Sequence, residues 1–202
     1  MEGGFDIAYS DTLGVAEPIN MFKSRVLGYI ESKTPALYHV CNSHLSRLDH
    51  VQTRFLRDLE VDEVSALTEF NLAPLAARRD VAMLGLIHRT VLGKGPQQFS
   101  RFFKSADFES KQNTRRATQR HSRQLQDVRD EHYLETTRRS ALGLIGVYNL
   151  LPSSAVQLDN VKEFQIHMQS LLKRQATAGE VDWRETFSPR LPLYSHPLTK
   201  LI

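Results

Sequence analysis

Six cations fall between positions 104 and 123: Lys104, Lys111, Arg115, Arg116, Arg120 and Arg123, set against Asp107 and Glu109. Such a run can neutralise phosphates, with binding that falls steeply as salt rises. It also reads as a solvated loop, the usual state of a charge run. Two further arginine pairs, Arg54 with Arg57 and Arg78 with Arg79, lie beside apolar stripes. They can face a nucleic-acid backbone, or pair with Asp58, Glu60, Asp80 and helix-end carbonyls; their place beside apolar residues favours packing and pairing. His39, Cys41 and His44 are close together, but a structural zinc site takes four ligands and only His50 is near enough to add one. No metal and no cofactor are expected, and Cys41 reads as a small buried apolar side chain. Tyr148-Asn149 ahead of Leu151-Pro152 reads as structural: the tyrosine fills the core, the asparagine bonds backbone at the helix end, and the proline stops the helix. Gly93-Lys94-Gly95 lacks the context of a phosphate loop. Nothing places serine, histidine and aspartate in a triad.

The elements that must carry these residues are helical. The chain has 202 residues, enough for one domain with extensions. It is 41% hydrophobic, slightly low for a fully compact domain, with 26 basic and 23 acidic residues and a net charge of +3. That balance does not by itself imply nucleic acid; the distribution of charge matters more. A single cysteine excludes an intrachain disulfide and fits a reducing compartment. No apolar run approaches the roughly 20 residues that span a bilayer, and the acidic start MEGGFDIAYSD is unlike a secretory signal. Cytosol or nucleus is the expected setting, with no membrane partner.

Residues 1–17 lack periodicity and read as a flexible lead-in. Residues 18–103 form an N-terminal helical half. Pro18 suits a first helical position, with Ile19, Phe22, Val26, Leu27 and Ile30 on one face at a 3.6-residue period. Thr34-Pro35 starts a short helix. The next helix carries Leu45, Leu48, Val51, Phe55, Leu56 and Leu59 as its apolar stripe, with Arg47, Arg54, Arg57 and Asp58 off it. Asp62 caps a short helix. Pro74 opens the clearest one, with Leu75, Val81, Leu84, Ile87, Val91 and Leu92 buried and Gly93 as its stop. Phe99, Phe102 and Phe103 suggest a further turn docked on the core. Residues 104–130 are a polar, basic linker. C-terminal helices occupy 131–176: one from about Glu135 to Leu150, and one capped by Asp159 with Val161, Phe164, Met168, Leu171 and Leu172 inward. Residues 177–202 hold three prolines and read as an extended tail. The fold class is all-α, an irregular bundle of about six to eight helices with a flexible basic arm.

Three blocks resemble the region downstream of the polymerase core in non-LTR retrotransposon reverse transcriptases. The first is MFKSRVLGYIESKTPALYHV. The second is LDHVQTRFLR followed by LAPLAARR, carrying Gln52, Arg54, Phe55, Arg57, Pro74, Arg78 and Arg79. The third is RRSALGLIGVYNLLPSSAVQLDNVKEFQ, where Tyr148-Asn149 stands in place of the family's Trp-Asn and Leu151-Pro152 matches its Leu-Pro. In order, they cover residues 20 to 172. The resemblance implies the thumb end and the segment after it. Polymerase chemistry needs paired aspartates for two metal ions, and the chain has no Asp-Asp; Tyr9-Ser10-Asp11 carries a lone aspartate. The resemblance therefore implies a truncated, non-catalytic remnant whose palm would lie upstream. Its expected partners are RNA or DNA, or a protein that supplies the missing core. The alternatives are a helical interaction scaffold, built on Phe99, Phe102, Phe103 and the Leu75–Leu92 helix, and a translated fragment without a selected role.

Overall fold

In a computed structural model of the chain, residues 6–106, 121–127 and 137–201 are described, with 6–13 and 201 described by backbone alone. The protein is an all-α, irregular helical bundle; among the described residues the β structure is a single antiparallel bridge between Ser105 and Leu125. No helix among the described residues is long and apolar enough to cross a membrane.

The first helix, α1 (Asp6–Met21), runs through a π-helical stretch, Phe22–Leu27, into α2 (Gly28–Ser32). Residues 6–17, expected to be a flexible lead-in, are thus helical. Ala8, Leu13, Ala16 and Glu17 favour this state, and Val15 packs on the cluster that holds Ile19 and Phe22. Pro18 lies inside the helix, where it removes one backbone hydrogen bond, and the π stretch begins four residues later. A π turn takes in one more residue than an α turn. Burial accordingly falls on Ile19, Phe22, Leu27 and Ile30, with a step of five in the middle, and Val26 is turned outward. A strict 3.6-residue period placed Val26 inside, and the π stretch overturns that.

After α3 (Thr34–Leu37) comes α4 (Asn42–Asp58). Its inward residues are Leu45, Leu48, Gln52, Phe55, Leu56 and Leu59. Phe55 stacks on Phe22 with ring centroids 4.3 Å apart. Val51, expected in the stripe, is exposed, and Gln52 is buried in its place with its amide donating to the Ala73 carbonyl at 3.1 Å. Asp62 caps α5 (Glu63–Thr68), accepting from the Val64 and Ser65 N–H groups at 2.9 and 3.0 Å.

Pro74 opens α6 (Leu75–Val91), which has more buried residues than any other helix among the described residues. Gly93 closes it with φ +70°; its N–H bonds Thr90 O and the Lys94 N–H bonds Arg89 O, which satisfies the last carbonyls. A short α7 (Gln97–Ser100) follows, then α8 (Leu144–Leu150), α9 (Ser153–Val156) and α10 (Val161–Thr177). Helix α6 packs against α3, α4, α7, α8 and α10. It meets α10 closely at Gly85, where a Cβ would come within 2.5 Å of the Gln165 amide nitrogen. The large core around α6, α8 and α10 includes Leu84, Ile87, Leu144, Tyr148, Leu151, Phe164 and Met168. Each fully buried side chain of this size contributes about 1.5–3 kcal/mol.

Three expectations change here. The helix expected from Glu135 to Leu150 is interrupted: Ser140 caps Leu142, a 3-10 turn spans Ala141–Gly143, and regular helix begins at Leu144. Gly143 marks the break, because a Cβ there would stand 2.7 Å from the Arg138 carbonyl oxygen. The cap of α10 is Asn160, whose side chain accepts from the Lys162 N–H at 2.8 Å; Asp159 instead pairs with Arg123. Finally, of the expected tail 177–202, Thr177 ends α10 and residues 178–201 are free of α-helix, but they are docked. Trp183, Phe187 and Leu198 enter the large core, Thr186 donates to Gln175 at 2.5 Å, and buried His196 bonds the Ser188 carbonyl at 3.0 Å. Proline interrupts the periodicity that would otherwise mark these residues as inward.

Candidate functional site

The structure divides the arginines that the sequence grouped together. On α6, Arg79 is almost fully buried and grips Asp49 of α4 with two bonds, at 2.6 and 2.9 Å. Arg78 reaches Glu31 at the end of α2 at 2.5 Å. Both tie the second block to its neighbours. On α4, by contrast, the Arg54 and Arg57 side chains are 79% and 75% exposed, and their only ion-pair contacts among the described residues are distant ones of 3.9 and 4.0 Å to Asp58. Expected to serve packing and pairing, they face solvent instead.

Arg54 and Arg57 belong to a larger surface. Arg47, His50, Arg54 and Arg57 follow spacings of three, four and three along α4, which puts them on one side of a helix, and all four are exposed. The opposite side is the apolar stripe. Asp58 is the exposed acid beside them, while Asp49 is committed to Arg79. From Arg47 to Arg57 the face runs about 15 Å. Arg47 and His50 were not among the candidate residues; the three-four-three spacing off the stripe is the signal that points to them.

The basic run is only partly visible. Lys111, Arg115, Arg116 and Arg120 lie outside the described residues. Lys104 is exposed, and its carbonyl accepts from the Gln126 N–H at 2.8 Å. Arg123 behaves differently from its expected role. Its guanidinium donates to the Val156 carbonyl at 2.6 Å and to Asp159 at 2.7 Å, and Arg123 in turn holds the Asp159 carboxyl below the usual carboxylate range. It is an anchor between the arm and the start of α10, not a free cation. The antiparallel bridge between Ser105 and Leu125 joins the two described stretches of the arm.

Leu125 of that bridge is clasped by Asn149 of the third block. The asparagine amide donates to the Leu125 carbonyl at 2.9 Å, and its oxygen accepts the Leu125 N–H at 2.8 Å. The expected role, bonding backbone at its own helix end, is replaced by bonding backbone 24 residues away. Tyr148 is fully buried; its hydroxyl meets His88 Nδ1 at 2.9 Å. His88 Nε2 lies 2.7 Å from the Leu158 carbonyl, which can only accept. The proton therefore sits on Nε2, and Nδ1 accepts from the tyrosine. Burial keeps His88 neutral by pushing its pKa down. Leu151 is fully buried, and Pro152 precedes the first residue of α9.

Cys41 departs from the buried apolar role expected of it. It precedes α4 in extended conformation, and its sulfur lies 3.2 Å from Ser43 Oγ and 3.0 Å from His44 Nδ1 at the surface. The Ser43 hydrogen bond, then those of His44, lower the thiol pKa to about 6. Alkylation by iodoacetamide is expected to be half-maximal near pH 6, well below an ordinary thiol; a profile centred near pH 8.5 would refute this. Among the described residues no three histidine, cysteine, aspartate or glutamate side chains gather as a metal site.

A pocket of about 190 Å³ lies where α3, α4 and α6 meet the C-terminal segment. Asp80 lines it and accepts from the Tyr38 hydroxyl at 2.7 Å. Arg190 spans its edge, bonding Asn42 and the carbonyls of Tyr38 and Val40. No family model, no curated protein and no solved structure matches this chain.

Proposed function

We propose that the chain is a non-catalytic helical domain akin to the post-palm region of a retrotransposon reverse transcriptase, and that it binds RNA or DNA backbone weakly through the outer face of α4. The observation that carries the binding is the row Arg47, His50, Arg54 and Arg57: exposed, on one side of a 17-residue helix, and opposed by one exposed acid. Side chains held this loosely can turn to phosphate without breaking a contact that the fold needs. Their order along about 15 Å of helix matches a few successive phosphates, since one strand of a duplex carries a phosphate about every 3.4 Å. The sequence-level likeness to a polymerase supports the same partner class.

The scaffold reading loses the surface it named. Phe103 is buried, Phe99 packs against the core, and the apolar side chains of α6 are buried or half-buried; of the three phenylalanines Phe102 alone is exposed, with the Arg101 guanidinium over its ring.

The test is a titration of structured RNA and of duplex DNA at about 50 and about 200 mM salt. Affinity is expected to fall by an order of magnitude or more between the two. Replacing Arg47, Arg54 and Arg57 together by alanine is expected to weaken binding and to lower the salt slope by about 3, roughly one per cation. The fold should persist, because these side chains are exposed. A second variant with Lys111, Arg115, Arg116 and Arg120 changed to alanine measures the share of the arm. Absence of binding at low salt, or undiminished binding by the α4 variant, sinks the proposal.

A further inference from the structure

The pocket between α3, α4, α6 and the C-terminal segment is lined by six charged side chains whose pairing is uneven. Arg79 is taken by Asp49, and Arg184 is drawn to Glu63, which lies outside the lining. That leaves the carboxylates of Asp80 and Glu185 against the guanidinium of Arg190, which is held by Asn42 and two backbone carbonyls. Among the described residues neither acid has a cation within ion-pair distance. Glu185 is exposed at the rim, and Asp80 is half-buried on the α6 wall. The Tyr38 hydroxyl donates to Asp80 Oδ1 at 2.7 Å and fixes the carboxylate, while Oδ2 has no hydrogen-bond partner among the described residues. Leu45 and Ala76 add apolar wall, and Ser46 and Ser188 add hydroxyls.

We propose that this pocket binds a small primary alkylammonium group, its N–H groups donating to Asp80 and its methylenes lying along Leu45 and Ala76. Two carboxylates against one guanidinium favour a cation over an anion. Among the described residues no three metal-ligating side chains gather, so the donor set suits an organic cation and not a metal ion. A primary ammonium carries three N–H donors. They match the open oxygen of Asp80 and the hydroxyl oxygens of Ser46 and Ser188 in the lining. A bond between an ammonium and a carboxylate is about twice as strong as one between neutral groups, so Asp80 is the anchor. At about 190 Å³ the pocket is smaller than the roughly 300–1,000 Å³ of drug-sized sites, which limits the ligand to a short chain. Glu185 at the rim adds attraction for the approaching cation.

Titration of the intact chain with n-butylammonium chloride, at constant ionic strength and followed by amide chemical shifts, tests this. Burial raises the Asp80 carboxyl to about 7, so the titration is run at pH 8, where it is largely charged. Saturable shifts are expected at Tyr38, Asn42, Ser46, Asp80 and Ser188, with a Kd on the order of 1 mM, within reach of so small a ligand. Tetramethylammonium has the charge without N–H donors and should bind at least tenfold more weakly. Asp80→Asn keeps an acceptor for the Tyr38 hydroxyl but removes the charge, and it should weaken n-butylammonium at least tenfold. The variant with Arg47, Arg54 and Arg57 changed to alanine should bind n-butylammonium as the unaltered chain does, so this site and the nucleic-acid face can fail separately. Nα-acetyl-lysinamide presents the same ammonium on a peptide unit. Tighter binding than n-butylammonium assigns the group to a lysine side chain of a partner, weaker binding assigns it to a free amine, and both support the site. Shifts that never saturate, equal binding of tetramethylammonium, or unchanged affinity in Asp80→Asn would overturn the proposal. If Asp80→Asn does not fold, Ala76→Met, which fills the apolar wall from α6, decides: it should abolish binding, and retained affinity counts against the site.

Discussion

Asn149→Ala is expected to destabilise the protein by about 2–4 kcal/mol, among the largest effects of any polar substitution in the chain. Two backbone groups of Leu125 lose their partner at once, and each unsatisfied buried group costs about 1–3 kcal/mol. Water cannot replace the amide easily, because the Leu125 side chain is 3% exposed and sits in the large core. The effect should also be directional. Asn149→Asp keeps the acceptor for the Leu125 N–H but sets a carboxylate oxygen against the Leu125 carbonyl, so it should be as damaging as alanine near neutral pH. Urea unfolding measures the loss. Exchange at Ala106 and Gln126, whose N–H groups bridge across to Gln124 and Lys104, should accelerate with it. An Asn149→Ala protein within about 0.5 kcal/mol of the unaltered one, the range of an ordinary surface change, would show that the clasp contributes nothing.

The clasp shows where reading the sequence stops. Tyr148 and Asn149 are adjacent in a short apolar helix, and their types already indicate a filled core and a bonded amide. The identity of the bonded partner does not follow from local pattern, since Leu125 lies in a polar segment without periodicity. Helices with dense apolar spacing and clear punctuation were legible: α6 between Pro74 and Gly93, α5 behind Asp62, and the inward residues of α10. Elements were misread where local chemistry departs from one period. The π stretch shifts the phase between Phe22 and Leu27 and puts Val26 outside; Gly143 and Ser140 break a helix that the leucines suggest is continuous; and prolines hide the docking of Trp183 and Phe187. Candidate sites were less legible than helices for the same reason. Whether a cation is free depends on the acid brought beside it, and such acids come from distant positions, as Asp159 does for Arg123.

The same dependence predicts opposite outcomes for arginines of one motif. Arg79→Ala is expected to cost about 2–3 kcal/mol: breaking a buried pair costs about 3–5 kcal/mol, reduced here because Asp49 keeps about a third of its surface in water. Most of that cost is the aspartate left without a partner. A double variant, Arg79→Met with Asp49→Leu, should therefore recover much of the stability, since two apolar groups leave no charge behind. Arg54→Ala and Arg57→Ala should each change stability by less than about 0.5 kcal/mol, as exposed and distant pairs do. Nucleic-acid affinity should rank the residues the other way, with Arg54 and Arg57 mattering and Arg79 acting only through unfolding. Urea melts and binding titrations on the same four proteins separate the two roles. If Arg79→Ala were as stable as Arg54→Ala, the bond between α4 and α6 would hold nothing together, and the division of the motif into anchors and contacts would fail. If instead the two rankings cross as expected, retaining those arginines serves two ends: on α6, Arg79 ties α4 in place and Arg78 ties the end of α2, and the pair on α4 is thereby held outward.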